Sequence, residues 1–271
     1  MPEESSDKRF GVQVLDGFDS IADAFSYLAL RDIRTVEINL NNPYFLAQLT
    51  ATLERAEIAK VARDEGITWT VHLPEGVSFF EVGDKIFGRY LTWLVKLQDQ
   101  AREAGCHALT CHLGQAPHFA YSGQRREGLD LFREYYETTL LVRLRRAAHL
   151  LRKGPPLCIE NVGGFHQQFV RDILNRIEGL SYTMDIGHLK VANPGVAEAE
   201  FDFFKKHSDD VRVVHIHDND GEWDKHLPLT DPSTLEPYLW FAREFASYLI
   251  VEVRPLEAAI SSLAVLTGIK R

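Results

Sequence analysis

Short apolar runs rich in Val, Ile, Thr and Tyr recur along the chain, separated by longer stretches in which apolar positions return every three or four residues. The runs are FGVQVL (10–15), TVEINL (35–40), TWTVHL (68–73), ALTCHL (108–113), LCIENV (157–162), SYTMDI (181–186), VRVVHIH (211–217) and YLIVEV (248–253). Residues of this kind, in runs of this length, predict β-strands. The intervening stripes predict helices. Ile21, Phe25 and Leu28 follow an Asp19-Ser20 cap signal. Leu91, Leu94, Val95 and Leu97 form a second stripe that ends near Gly105, and Phe132, Tyr135, Tyr136, Leu140, Leu141 and Leu144 form a long one before Gly154-Pro155-Pro156. Phe169, Ile173, Leu174 and Ile177 lead to Gly179, Leu239, Phe241, Ala242 and Phe245 precede the last strand, and Leu256 to Leu266 closes the pattern.

Eight strands alternating with helices imply parallel pairing through right-handed crossovers. A closed (β/α)8 barrel leaves no edge strand, whereas a doubly wound open sheet would spread the strand ends along a line. The expected fold is therefore α/β, a single (β/α)8 barrel. Its 271 residues suit one such barrel. No linker or composition shift divides the chain, so residues 9–271 read as one domain behind a flexible polar tail over residues 1–8.

Composition narrows the function classes. Hydrophobic residues make up 45% of the chain, enough for a large core. A net charge of −9 argues against non-specific nucleic-acid affinity. The basic stretch Arg143, Arg145, Arg146, Arg152 and Lys153 reads as a solvated helix face leading into a strand, away from any barrel mouth. Three cysteines, Cys106, Cys111 and Cys158, fit reduced thiols rather than a disulfide framework. With no signal-peptide pattern and no apolar run of spanning length, a cytoplasmic protein without membrane contact is expected. A homo-oligomer stays open, because Phe79, Phe80 and Trp240 suit an interface or a core equally.

Chemistry concentrates at the strand ends. His72, His112, Glu160, Asp185 with His188, His215 with His217, Asp224 with His226, and Glu252 all fall in the last residues of predicted strands or in the loops that follow. In a barrel these ends surround one mouth. Imidazole and carboxylate together suit zinc, manganese and related divalent ions. One isolated histidine in a strand is usually a hydrogen-bonded core residue, which is the reading for His107, His118, His149, His166 and His207. A carboxylate within a strand is different, because burying it without a partner is costly. Glu160 and Glu252 therefore call for a cation. Alternation turns Cys111 away from His112, so it is expected to pack in the wall.

The ordered set of a His after strand three, a His after strand four, Glu-Asn after strand five, Asp-x-x-His after strand six, His-x-x-Asp after strand seven, Asp-x-His in the next loop and a Glu in strand eight resembles the xylose-isomerase-like TIM-barrel superfamily, which includes sugar phosphate isomerases, epimerases and endonuclease IV. The resemblance implies metal ligands at His72, His112, Glu160, Asp185, His188, His215, Asp224, His226 and Glu252. The smaller epimerase-type set would use Glu160, Asp185, His215 and Glu252 around one ion. The cofactor implied is a divalent metal, zinc or manganese first and magnesium or cobalt next, with no organic cofactor.

Two activities follow from the resemblance. The first is isomerisation or epimerisation of a sugar or sugar phosphate through a metal-stabilised enediolate, with Glu160 and Glu252 as catalytic acid and base and with His188, Lys190, His217, Trp223 and Arg254 on the substrate. For Arg254 a salt bridge to a barrel carboxylate is an equal alternative. The second is zinc-dependent phosphodiester cleavage of the apurinic-site endonuclease type. The loops favour the first. Glu75 stands where a DNA-probing aromatic is expected, Asn41-Asn42-Pro43-Tyr44 offers no arginine, and His226-Leu227-Pro228-Leu229 is typical of the sugar isomerase branch. Thr230-Asp231-Pro232 departs from that branch's usual Gly-x-Gly turn. A non-catalytic sugar- or metal-binding barrel is a third reading, disfavoured by the intact pair Glu160 and Glu252.

Overall fold

The computed structural model describes residues 8–268 apart from Val82. Eight parallel strands close into a barrel: β1 (Phe10–Val14), β2 (Thr35–Asn39), β3 (Thr68–His72), β4 (Leu109–Cys111), β7 (Leu157–Glu160), β8 (Ser181–Asp185), β9 (Val211–Ile216) and β10 (Tyr248–Val251). They are neighbours in chain order, and β1 pairs with β10 to close the ring. All eight predicted strands are present, and the fold is the (β/α)8 barrel that their alternation with helices implied. Strands β5 (His118–Tyr121) and β6 (Gln124–Glu127) form a separate antiparallel hairpin after β4. The tail expected over residues 1–8 lies outside the described residues as far as Asp7. Lys8 is described, and its carbonyl accepts a hydrogen bond from Thr35 Oγ1 at 2.5 Å.

Helices cover the outside of the ring. The first, α1 (Ile21–Ala29), is capped by Ser20, whose hydroxyl accepts from Asp23 N, and it buries Ile21, Phe25 and Leu28. Two further helices, α2 (Pro43–Thr50) and α3 (Thr52–Asp64), fill the crossover from β2 to β3. The long helices α4 (Asp84–Glu103) and α6 (Arg133–Leu151) bury Leu91, Leu94 and Leu97, and Tyr136, Leu140 and Leu144. A single turn, α5 (Gly128–Leu131), leads into α6, and α7 (Gln168–Leu174) follows β7. Phe132 and Tyr135, assigned to the same stripe by periodicity, are instead exposed. Phe79 and Phe80 belong to the core, while Trp240 is exposed.

Period-two alternation organises the barrel interior. On four strands the inward column begins with a small or apolar residue, and Ala108, Cys158, Val213 and Ile250 form a separate apolar cluster there. One step up β4 stands Thr110, with Thr70 and Thr183 on β3 and β8. Continuing along the same columns leads to His112, Glu160, His215 and Glu252. Sealed below by apolar packing, these columns can open only at the C-terminal mouth. Cys106, Cys111 and Cys158 are buried and free, and burial pushes the thiols of Cys106 and Cys111 up to about 12, which makes them poor nucleophiles.

The basic stretch on α6 needs one correction. Arg143 is buried, not solvated: it donates to the carbonyls of Phe79 at 2.8 Å and Glu81 at 2.5 Å, pairs with Asp84 at 2.8 Å and lies over the Phe87 ring. It ties the loop after β3 to the helical layer. Arg143→Met would keep the apolar stem and strand both carbonyls, lowering unfolding free energy by about 2–3 kcal/mol. Denaturant unfolding of this variant beside Arg146→Met, a change on the exposed side, should show the loss in the first alone.

Candidate metal centre

The nine predicted ligands meet at the barrel mouth, and His217 joins them. Their ligand atoms fall into three groups: His72, His112 and Glu160; Glu160, Asp185, His215 and Glu252; and His188, His217, Asp224 and His226. Glu160 belongs to the first two. Its Oε2 lies 3.4 Å from His72 Nε2 and 2.9 Å from His112 Nε2. Its Oε1 faces the other way, 3.3 Å from His215 Nδ1. In the second group His215 Nδ1 is also 2.9 Å from Glu252 Oε2 and 3.8 Å from Asp185 Oδ2. In the third, Asp224 Oδ2 is 3.1 Å from His188 Nε2 and 3.2 Å from His226 Nε2.

Backbone and side-chain anchors turn the donors inward. His72 Nδ1–H donates to the Leu73 carbonyl at 2.9 Å, and His226 Nδ1–H to the Glu252 carbonyl at 3.0 Å. Because a carbonyl can only accept, the opposite nitrogen keeps a lone pair for a ligand. Asn161, next to Glu160, clamps the start of the loop after β8: its Oδ1 accepts from Asp185 N at 2.6 Å and its Nδ2 donates to the Asp185 carbonyl at 3.1 Å. Asp185 in turn caps α8 (Ile186–Val191) by accepting from His188 N.

Glu37 is a buried carboxylate beside the donor cluster that pattern reading missed. It is completely buried in the middle of β2, and its Oε1 stands 2.8 Å from His215 Nε2. Gln13 Nε2, Thr70 Oγ1 and Thr110 Oγ1 donate to the same carboxylate at 3.0, 3.1 and 3.3 Å. A carboxylate on the far nitrogen of an imidazole fixes its tautomer and raises its basicity toward a metal. The signal was present in TVEIN: an acid inside a strand otherwise uncharged is as costly as Glu160 or Glu252.

The side-chain chemistry fits a divalent ion. Glu160 Oε2, Glu252 Oε2, His188 Nδ1 and His215 Nε2 are buried polar atoms that lie near partners without an aligned hydrogen bond. The two carboxylate oxygens belong to different donor groups, Glu160 Oε2 beside His72 and His112 and Glu252 Oε2 beside His215. The carboxylates of the cluster favour protons on the neighbouring imidazoles of His72 and His188. Burial pushes the His72 imidazole down, but Glu160, Glu252 and Glu37 outweigh it and lift it to about 9. Burial opposes His188 too, and Asp185, Asp224 and Glu160 raise it to about 10. Burial raises Glu160, yet His112 and His215 hold it well below the usual carboxylate range.

The expected substrate contacts are placed unevenly. His188 and His217 sit inside the third donor group. Lys190 is paired with Asp218. Arg254 donates to Gln13 Oε1 at 2.7 Å and to Glu252 Oε1 at 3.2 Å, the salt bridge that was the alternative to substrate contact. Trp223 is exposed on the loop after β9, its backbone N–H donating to Asp220 Oδ1. A cavity of about 220 Å³ adjoins His112 and is lined also by Glu75, Gly114, Gln115, Val162 and Gly163. A second, of about 380 Å³, shares Gln115 and Gly163 and reaches His118, Arg125, Glu127 and His166 at the hairpin. His118 and His166, read as core residues, instead flank Glu127 at 3.7 and 3.6 Å, and His107 and His149 are exposed. Glu75 is locked to the loop after β2 by Asn41, which donates to its carboxylate at 2.9 Å.

A closed parallel barrel with carboxylates and imidazoles gathered at its mouth defines a TIM-barrel protein with candidate metal-ligand clusters. The family model for the xylose isomerase-like TIM barrel matches residues 25–268, and the chain belongs to that family. Among solved structures, a D-tagatose 3-epimerase-like protein superposes with a TM-score of 0.74 at 17% identity, covering 96% of each chain. Endonuclease IV from Thermus thermophilus gives 0.64 at 16% identity, covering 96% of this chain and 98% of its own. At these identities the likeness is one of fold. An uncharacterised protein of Methanocaldococcus jannaschii is 33% identical over 78 residues, so this chain matches only 29% of that relative's length and 27% of its own. The chain's structural neighbours thus include an epimerase-like protein and an endonuclease. No helix among the described residues is long and apolar enough to cross a membrane.

The proton-laden donors give a pH dependence. His72 and His188 stand at about 9 and about 10 in the folded, metal-free protein, above the 6.5 of an unperturbed histidine. Their contribution to stability is complete below about 6.5 and is lost as pH rises through about 9 to 10. Metal-stripped protein is expected to melt at falling temperatures across that window, and zinc-loaded protein to decline less because the ion replaces the protons. Calorimetry at several pH values tests this; equal slopes with and without zinc would contradict it. A second expectation concerns Glu37: Glu37→Gln should weaken metal affinity about 10- to 100-fold, read by competition with a chromophoric chelator.

Proposed function

We propose that this protein is a divalent-metal-dependent isomerase or epimerase acting on a small sugar or sugar phosphate. The observation that carries the reading is the second donor group. Glu160 and Glu252 come from strands separated by β8 and β9, yet both carboxylates reach His215 Nδ1, at the mouth of a closed barrel. An aldose–ketose or epimer interconversion needs a proton taken from a carbon next to a carbonyl and returned, to the neighbouring carbon or to the opposite face. Two carboxylates facing one ligand supply both sides.

When bound, the ion would polarise the substrate carbonyl as a Lewis acid. Glu160, Asp185, His215 and Glu252 would hold it. The remaining work falls to the chain: one of Glu160 and Glu252 takes the proton, the other returns it, and the sealed barrel below keeps bulk water from entering along the axis. The cavity beside His112 receives the sugar. Arg254 and Lys190 can meet a phosphate or carboxylate only by exchanging Glu252 and Asp218 for it, which favours a substrate whose recognition rests on hydroxyls. Three buried free thiols support a reducing, cytoplasmic setting.

One observation favours a second reading, zinc-dependent phosphodiester hydrolysis. Glu160 presents a different oxygen to each of two donor groups, the posture of a carboxylate shared by two ions that activate water and neutralise a leaving oxygen. The acidic Glu75 beside His112 and the net charge of −9 oppose a duplex partner.

Incubation of metal-loaded protein with ketoses and their phosphates in D₂O separates the readings. Isomerase chemistry is expected to place deuterium on a carbon next to the carbonyl. Glu160→Gln and Glu252→Gln should each lower turnover by about 10²- to 10⁴-fold while the barrel still folds. Near-normal turnover in either variant, or cleavage of abasic-site DNA without sugar exchange, would sink the proposal.

A further inference from the structure

The larger of the two cavities at the barrel mouth has no part in the reaction proposed above. At about 220 Å³ the cavity beside His112 is below the usual range for ligand pockets, which begins at about 300 Å³. The second, of about 380 Å³, adjoins it through Gln115 and Gly163, which line both. At Gly163 the shared wall carries no side chain. A Cβ there would stand 2.4 Å from the Gly114 carbonyl oxygen, so the loop after β7 can lie this close to the loop after β4 only with glycine at the contact.

The β5–β6 hairpin turns a polar face to this second cavity. Pairing of His118 with Glu127 and of Ala120 with Arg125 puts these four residues on one face of the ribbon. His118, Arg125 and Glu127 line the cavity. Phe119, paired with Arg126, lies on the other face, and its ring meets Phe132 edge-on with centroids 5.6 Å apart. At the base, Gly128 N donates to the Pro117 carbonyl at 2.8 Å. A two-stranded ribbon is marginal by itself, and these contacts fix which face it presents. Across the cavity stands His166, whose Nδ1–H donates to the Gly163 carbonyl at 2.7 Å and whose Nε2 accepts from Gln167 Nε2 at 3.1 Å.

Glu127 stands between the two imidazoles, 3.7 Å from His118 Nε2 and 3.6 Å from His166 Nε2, both beyond hydrogen-bond length. Its two oxygens therefore keep their capacity to accept. Arg125 supplies donors only, while Gln115 and His118 can donate or accept. One cation is balanced by one acid, so an anionic ligand would gain little and would face Glu127. Clustered hydroxyls, each both donor and acceptor, suit such a lining. We propose that the hairpin cavity is a subsite for a second sugar ring, so that the substrate is a disaccharide or other glycoside with its reactive ring at the metal centre. Glu127 accepts from hydroxyls of the second ring, and Arg125 and His118 donate to them. The proposal rests on the isomerase reading for the ring beside His112, and on the hairpin alone for the other.

The test uses the full, metal-loaded chain with the ketose disaccharides lactulose, maltulose and isomaltulose, beside D-fructose and D-fructose 6-phosphate. Saturation-transfer NMR is expected to show the non-reducing ring of at least one disaccharide in contact with the protein. Glu127→Gln should weaken that binding about 10-fold, and lower the ratio of disaccharide to fructose kcat/KM by a similar factor, as for loss of a hydrogen bond to a charged group. His118→Ala should act in the same direction, and Gln124→Ala, on the far face of the hairpin, should leave the ratio as it is. Three results would overturn the proposal: no contact with the second ring of any of the disaccharides, unchanged affinity in Glu127→Gln, or D-fructose 6-phosphate bound more tightly than every disaccharide with that preference lost in Arg125→Gln, which would make the cavity an anion site. Second-ring binding that depends on Glu127, without deuterium exchange into any ketose, would remove the isomerase reading and leave the subsite standing.

Discussion

Negative charge gathered out of water is the constraint around which the molecule is arranged. Glu37, Glu160, Asp185 and Glu252 are all buried within one barrel, and bringing one such carboxylate out of water unpaired costs several kcal/mol. They are tolerated because imidazoles interleave them: His215 alone touches Glu37, Glu160 and Glu252. Protons or metal ions must supply the compensating charge, and the surrounding carboxylates raise His72, His188 and His215 above the usual histidine value. Much of the rest follows. The apolar cluster of Ala108, Cys158, Val213 and Ile250 keeps water from screening the charges from below, and the threonines above it spend their hydroxyls on Glu37 and on one another.

Strand alternation carried most of this into the sequence. A closed barrel makes period two an unambiguous statement about inside and outside, so Thr110 with His112 and His215 with His217 were legible as inward pairs. The helices were legible where one face is buried, as along Leu91, Leu94 and Leu97. Where the pattern failed, a local rule was overridden by tertiary contact. Arg143 reads as solvated on its helix, but the loop after β3 offers two carbonyls that recruit it inward. The hairpin after β4 escaped notice because HFAYSGQRRE is polar and exposed, although Ser122 and Gly123, both at positive φ, form the kind of two-residue turn that joins such strands.

The candidate site was legible as a set of residues rather than as a partition. Sequence order places nine donors at strand ends without saying which share a point. Glu37 was hidden in a strand whose other members looked structural, and the place of His217 depended on the absence of a side chain at residue 187. Family membership fixes the scaffold but not the loops that carry Glu75, Trp223 and the hairpin.

The division of Glu160 between two donor groups has a thermodynamic consequence. A carboxylate common to two sites makes their occupancies linked, so neither has an affinity independent of the other. A first ion would compete with the protons on His215 or on His72 and would hold one oxygen of Glu160, leaving the second oxygen ordered for the neighbouring group. It also spends part of the negative charge that the second ion would be attracted by. Ordering and repulsion thus oppose each other across a single side chain, and their balance sets whether the centre fills in two distinct steps or as a unit.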